Sequence, residues 1–172
     1  MISEAMRFAP LALALFACFT GSLLGAARAQ QESAHCSEEI FNVSQEMHQK
    51  YSLNLSRPEV VLTSDSANPF PGSYERIFSM ITQYNSDSQY VRRVTFNAEN
   101  FMNSTGIQLR LAKRVMEACP STSKVRFGFA NSSYSIDYYR MPSGQIREGI
   151  QINCSRDGGN TVLQWGYYYS CS

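Results

Sequence analysis

Apolar positions in this chain fall into one continuous run, two stripes at helical spacing and several stretches of alternating parity. The run extends from Phe8 to Phe19, broken only by Pro10, with Leu23 and Leu24 beyond it. Ile40, Val43, Met47 and Tyr51 form the first stripe and predict a helix over 37–51. Ser37 stands where a cap belongs, and Glu38 and Glu39 occupy the first turn, where the helix dipole favours negative charge. Ile107, Leu111, Val115 and Ala118 form the second stripe. That helix starts at Ser104 or Thr105 and stops at Cys119-Pro120, since proline cannot continue the hydrogen-bond ladder. Arg110, Lys113, Arg114 and Glu117 take its other face and read as solvated.

The alternating stretches predict strands. Residues 59–64 form one, and 76–83 and 90–96 form two more, paired as a hairpin across Asn85-Ser86-Asp87-Ser88. The prolines and glycine of Asn68 to Ser73 make that segment a loop. Four strands follow the second helix: 124–130 with Val125, Phe127 and Phe129 inward, 134–141 with Ile136 and Tyr138, 145–153 with Ile146, Ile150 and Ile152, and 161–169 with Leu163, Trp165, Tyr167 and Tyr169. Pro142-Ser143-Gly144 and Asp157-Gly158-Gly159-Asn160 supply turns, which predicts an antiparallel meander with one wet face. The expected fold class is α+β: an antiparallel sheet packed against one main amphipathic helix, plus a shorter N-terminal helix. No repeat or linker divides residues 30–172, which are the size of a single domain.

The first apolar run changes where this domain is expected to work. Arg7 before it and Ala27-Arg28-Ala29 after it complete the pattern of a cleavable signal peptide over 1–29, with Met1 or Met6 as the start. A membrane span needs roughly 20 predominantly apolar residues; Gly21, Ser22 and Gly25 dilute this one, and no basic stop-transfer cluster follows. Leu15-Phe16-Ala17-Cys18 departs from a lipidation motif in its bulky Phe16 and in the apolar residues after Cys18. The expectation is a secreted or periplasmic protein with no stable membrane span after cleavage.

Cysteine usage agrees with export. Beyond the leader stand Cys36, Cys119, Cys154 and Cys171, an even set that predicts two disulfides. On the meander geometry, Cys119 and Cys171 fall at one end of the sheet, which pairs Cys119 with Cys171 and Cys36 with Cys154. Without Arg7, Arg28 and Glu4, the 15 basic and 14 acidic residues become 13 of each. Balanced charge offers no field for nucleic acid.

Candidate chemistry is sparse. No G-x-S-x-G, H-E-x-x-H, phosphate loop or dinucleotide turn is present, so no catalytic residue, metal or cofactor is assigned. His35 and His48 lack the spacing that sets two ligands on one helix face. Glu148 and Asp137 are the carboxylates within the terminal sheet and the candidates for a general acid; ion pairing of Glu148 with Arg126, Arg140 or Arg147 is the plainer reading. Tyrosine is dense in this sheet, and Tyr139 and Tyr168 have the outer parity, where they could stack on a sugar or anchor a protein. Five N-x-S/T sequons, at Asn42, Asn54, Asn103, Asn131 and Asn153, matter only in a eukaryotic secretory pathway.

The C-terminal third, with Cys119-Pro120, Val125-Arg126-Phe127-Gly128, Cys154, Trp165-Gly166 and Cys171, resembles uncharacterised exported proteins of photosynthetic bacteria. The resemblance implies export and a similar shape, carries no activity, and implies a Cys119–Cys154 disulfide. Three functions follow from the residues. The first is a non-enzymatic binding or structural domain whose aromatic sheet face meets a protein or carbohydrate. The second is a small hydrolase using Glu148 or Asp137 with an arginine. The third is an inhibitor whose Asn68–Ser73 loop plugs a secreted enzyme.

Overall fold

Phe127 is the residue around which the elements assemble. Its ring stacks on Phe78 at 5.5 Å and meets the edges of Phe101 at 5.6 Å and Tyr138 at 6.0 Å. The computed structural model describes residues 34–82, 89–153 and 164–170. Helix α1 covers 34–51, followed by β1 (Glu59–Leu62), β2 (Tyr74–Met80), α2 (Gln89–Met102), α3 (Thr105–Ala118), β3 (Thr122–Phe129), β4 (Ser135–Arg140), β5 (Ile146–Glu148), β6 (Ile150–Asn153) and β7 (Tyr167–Ser170). The class is α+β, as the periodicity predicts. The predicted signal peptide, Cys154, Cys171, and the predicted turns at 85–88 and 157–160 lie outside the described residues.

Five strands form one sheet in the order β1-β2-β3-β4-β5, and β6 and β7 form a second. The expectation of a purely antiparallel sheet is corrected: β2 runs parallel to β3, and β6 parallel to β7. Parallel neighbours need a long crossover, and α2 and α3 supply it. The predicted 90–96 strand and its hairpin are therefore wrong. Val91, Val94, Thr95 and Phe96 carry local strand propensity, but among the described side chains of α2 the buried ones are Ala98, Phe101 and Met102 at helical spacing, while Phe96 is exposed. Tertiary packing overrode propensity here.

The predicted 145–153 strand breaks at Gly149. β5 pairs with β4, Gly149 donates its N–H to Asp137 O at 2.8 Å, and β6 leaves for the second sheet. The meander thus ends after β3-β4-β5. The other stripes hold. Val43 and Met47 of α1, Leu111 and Val115 of α3, and Val125, Phe127 and Tyr138 of the sheet are all fully buried in one core. α3 covers β3, β4 and β5, and α2 packs on α3. Ser37 lies inside α1 rather than capping it, and Ser104 turns its hydroxyl to Asn100 O at 2.7 Å instead of capping α3.

Cys36 pairs with Cys119, with Cα atoms 4.8 Å apart. This overturns Cys119–Cys171 with Cys36–Cys154, and equally the Cys119–Cys154 pairing that the resemblance implies. The reason is a helix pair. Arg114 reaches Glu39 at 2.7 Å and Arg110 reaches Glu46 at 2.7 Å, so α1 and α3 run antiparallel. The two cysteines then meet where α1 begins and α3 ends. Arg110 and Arg114 are consequently partners of α1, not merely a solvated face. Arg110 and Arg114 together hold the Glu46 carboxylate below its ordinary range, against the opposing effect of partial burial.

The disulfide closes a loop of 83 residues. Such a cross-link restricts the unfolded chain by about 4–5 kcal/mol, with measured losses of roughly 2–5. Replacing both Cys36 and Cys119 by Ser should lower stability in urea by that amount. An unchanged midpoint would show that the bond does not clamp the helix pair.

Candidate functional site

The sheet has a second face, away from the helices, and its centre is charged. Alternation along β3 sends Val125 and Phe127 to the core and Lys124 and Arg126 to this other side. Cross-strand partners share a face, so the register adds Glu75 from β2 and Asp137 and Tyr139 from β4. Two acids thus meet two bases.

Arg126 donates from Nε to Asp137 Oδ1 at 2.7 Å and from Nη2 to Oδ2 at 2.9 Å. Lys124 Nζ lies 3.1 Å from the same carboxylate and 3.4 Å from Glu75 Oε1, and Arg126 Nε lies 3.2 Å from that Glu75 oxygen. Tyr139 donates its hydroxyl to Asp137 Oδ2 at 3.3 Å. Burial works against ionising Asp137, but the Arg126 hydrogen bonds and the Lys124 charge more than offset it and leave its pKa lowered. The same pairing raises the Arg126 pKa, and burial next to Asp137 pushes the Tyr139 phenol well above its ordinary value. A carboxylate held ionised by a bidentate guanidinium is poorly suited to act as a general acid.

No protein family, curated protein or solved structure matches this chain. The geometry alone must therefore weigh the candidate residues.

Asp137 is 4% exposed and spent in ion pairs. Glu148 is opposite Tyr138, whose hydroxyl donates to Gln108 Oε1 of α3 at 3.0 Å. Glu148 therefore belongs to the helix side, and the sheet separates it from Asp137. The two candidate carboxylates do not converge. Tyr139 does have the outer parity, but the expectation that it is exposed is corrected: it is 1% exposed. Trp165 covers it edge-on at 4.9 Å, donating Nε1–H to Arg140 O at 2.8 Å, and Phe70 meets the Trp165 ring at 6.5 Å. Trp165 stands in the turn before β7, which is why strand parity misplaces it. The Tyr168 side chain lies outside the described residues. The Asn68–Ser73 loop is held by Asn68, which donates to Phe70 O and Ser73 Oγ, and it lays Phe70 against Trp165.

His48 and His35 are exposed on α1, and His48 Nδ1 lies 3.0 Å from Leu53 O. Two shallow grooves of ≈ 220 and ≈ 270 Å³ share Ser52 and Asn97 where α1 ends beside α2, and neither lining contains a carboxylate.

Sequence reasoning missed the apolar sheet edge. Val60, Val61, Leu62 and Tyr74 are 48, 40, 61 and 40% exposed. Three consecutive apolar residues in one strand were the available signal, because a strand with one wet face would alternate.

Asp137→Asn should cost about 3 kcal/mol, near the low end for an opened buried pair because Arg126 keeps some contact with water. By linkage, a depressed carboxylate contributes stability above its unfolded pKa and loses it as pH falls through the folded one. Wild type should therefore shed this stability only under acid conditions, and NMR titration of the Asp137 carboxyl should give a midpoint below the ordinary carboxylate range. A midpoint near neutrality would restore Asp137 as an acid.

Proposed function

We propose that this chain is an exported, non-enzymatic binding domain that takes an extended protein segment along the β1 edge. The observation that carries the proposal is the exposed apolar set at that edge. β1 is the end strand of the five-stranded sheet, and Val60, Val61, Leu62 and neighbouring Tyr74 stay exposed beside it. An open edge with apolar side chains offers backbone hydrogen bonds and side-chain contacts to an added strand. Tyr74 takes the aromatic role that Tyr139, covered by Trp165, does not offer. Asp137, held ionised by Arg126 and Lys124, is better suited to an ion-pair network than to general-acid chemistry, which favours binding over hydrolysis.

Export is supported by the leader pattern over 1–29, by the Cys36–Cys119 disulfide, and by the resemblance of the C-terminal third to exported proteins. No described helix is long and apolar enough to cross a membrane. A second disulfide, Cys154–Cys171, completes the reading. With Cys36 and Cys119 joined, these are the remaining cysteines of the exported part, and the β6–β7 register sets the residues before them, Asn153 and Ser170, side by side. Thiol–disulfide exchange with an oxidising disulfide carrier outside the cytoplasm would form it. Non-reducing peptide mapping should recover both bonds, and free thiols at 154 and 171 would remove the second.

The binding test uses a soluble peptide of alternating valine and threonine with lysine at each end. Adding it should slow hydrogen exchange at the Val60 and Leu62 amides several-fold. Unchanged exchange at both, with the peptide at millimolar concentration, would overturn strand addition at this edge.

A further inference from the structure

The Cys36–Cys119 disulfide lies in an electropositive corner of the fold. Alternation along β2 sets Arg76 on the same side as Phe78, and along β4 it sets Arg140 on the same side as Tyr138. Phe78 and Tyr138 pack on Phe127 in the core, so the two arginines end the core-facing rows of their strands. Arg76 donates from Nη2 to Cys36 Sγ at 3.6 Å and from Nε to Thr122 Oγ1 at 3.1 Å. Arg140 donates to Met116 O, near the end of α3, and from Nε to Thr122 O at 3.3 Å. Thr122 in turn donates its N–H to Cys119 O at 2.8 Å. One guanidinium thus touches the bond, and a second meets the turn that holds it.

Among the described residues neither arginine has a salt bridge. Burial pulls both guanidinium pKa values down. The acids of the neighbouring helices are placed elsewhere. Glu39 bonds to Arg114, Glu38 is exposed on α1 with His35, and Glu117 is exposed on α3 and acts on Arg140. A partly buried cation without an anion costs free energy, and a bonded sulfur is only a weak acceptor. A thiolate at Cys36 would supply the missing charge. Its place at the described start of α1 acts in the same direction, because the amino end of a helix favours an anion.

The two sulfurs are not equivalent. Cys36 is 7% exposed and in contact with Arg76. Cys119 is 1% exposed and caps the carboxyl end of α3, where the dipole disfavours negative charge.

We infer that Cys36–Cys119 is an exchange-active disulfide, with Cys36 as the sulfur that meets a dithiol carrier protein and Arg76 as the positioning residue for its thiolate. In the reducing direction a carrier thiolate attacks Cys36 Sγ. The S–S bond breaks, and Cys119 leaves as a thiolate that takes a proton from water. The carrier's second thiolate then attacks the carrier sulfur of the mixed disulfide, and Cys36 leaves as a thiolate beside Arg76. Two electrons pass to this chain, and the carrier becomes a disulfide. The reverse sequence closes the bond. The Arg110–Glu46 and Arg114–Glu39 pairs do not depend on the bond, so α1 keeps these ties to α3 in the dithiol state.

The test treats the reduced protein with limiting iodoacetamide in native buffer and maps the peptides. Cys36 should be alkylated several-fold faster than Cys119, with a rate midpoint below the ordinary thiol pKa. In concentrated urea the two rates should converge. Arg76→Gln, shown to be folded by circular dichroism, should slow alkylation of Cys36 several-fold at neutral pH. It should also shift the equilibrium with glutathione toward the disulfide by about tenfold, or roughly 30 mV. Equal rates at the two cysteines in native buffer would overturn the inference, as would an ordinary thiol midpoint at Cys36, or an equilibrium indifferent to Arg76→Gln. If Arg76→Gln does not fold, the wild-type midpoint at Cys36 decides alone.

Discussion

Two cations on the central strand set the terms for the rest of this fold. Lys124 and Arg126 belong to β3, which is flanked by β2 and β4; Lys124 is buried and Arg126 is half-buried. A charge removed from water costs several kcal/mol unless it is paired and hydrogen-bonded. Both neighbouring strands must therefore bring an acid to the correct rung, and the register sets Glu75 beside Lys124 and Asp137 beside Arg126. A slip of one residue would move Asp137 into the aromatic core and Tyr138 among the charges. The ion pairs thus act on register as well as on energy. They also explain the covering aromatics: Tyr139 and Trp165 shield the cluster, and the Tyr139 hydroxyl is used on Asp137 rather than on a ligand.

The opposite side of β3 has a different requirement. Phe127 needs apolar neighbours all round, and the parallel β2–β3 pairing provides them through the helices of its own crossover. α1 is then fixed on α3 by two kinds of bond. Arg110 and Arg114 hold Glu46 and Glu39 along the helices, and Cys36–Cys119 closes the end. The covalent bond and the ion pairs demand the same antiparallel alignment, so each limits the fraying that would weaken the other.

Much of this is legible in residue spacing, and the failures have physical reasons. α1, α3 and the β3–β4 pair follow directly from period, because each buries one regular stripe, whereas β1 is exposed along its length and is marked only by its apolar run. Tyr90 to Phe96 looks like a strand because local propensity is all that a short window shows, whereas the buried α2 side chains among those described are Ala98, Phe101 and Met102. The parallel pairing of β2 is invisible locally, since it depends on what lies between the strands. The meander geometry misplaces the disulfide for the same reason: the Cys36–Cys119 bond depends on α1 lying antiparallel to α3, which residue spacing does not show. At the candidate site, parity found the correct side for Tyr139 but not its burial, because Trp165 arrives from a turn far along the sequence. Glu148 and Asp137 read alike as carboxylates of the terminal sheet and prove to lie on opposite sides of it.

The β1 edge shows how such a sheet can remain open without becoming indiscriminate. Edge strands invite unwanted pairing, and proteins limit them with short length, proline and charge. β1 has all three: four residues, Pro58 before it, and Glu59 at its start. These devices keep the exposed edge short and place a charge at its start. They do not remove the apolar residues at its centre, although a polar residue at Val60 or Leu62 would leave the backbone pairing with β2 unaffected. A short edge that keeps its apolar centre fits the strand addition proposed above better than it fits simple protection.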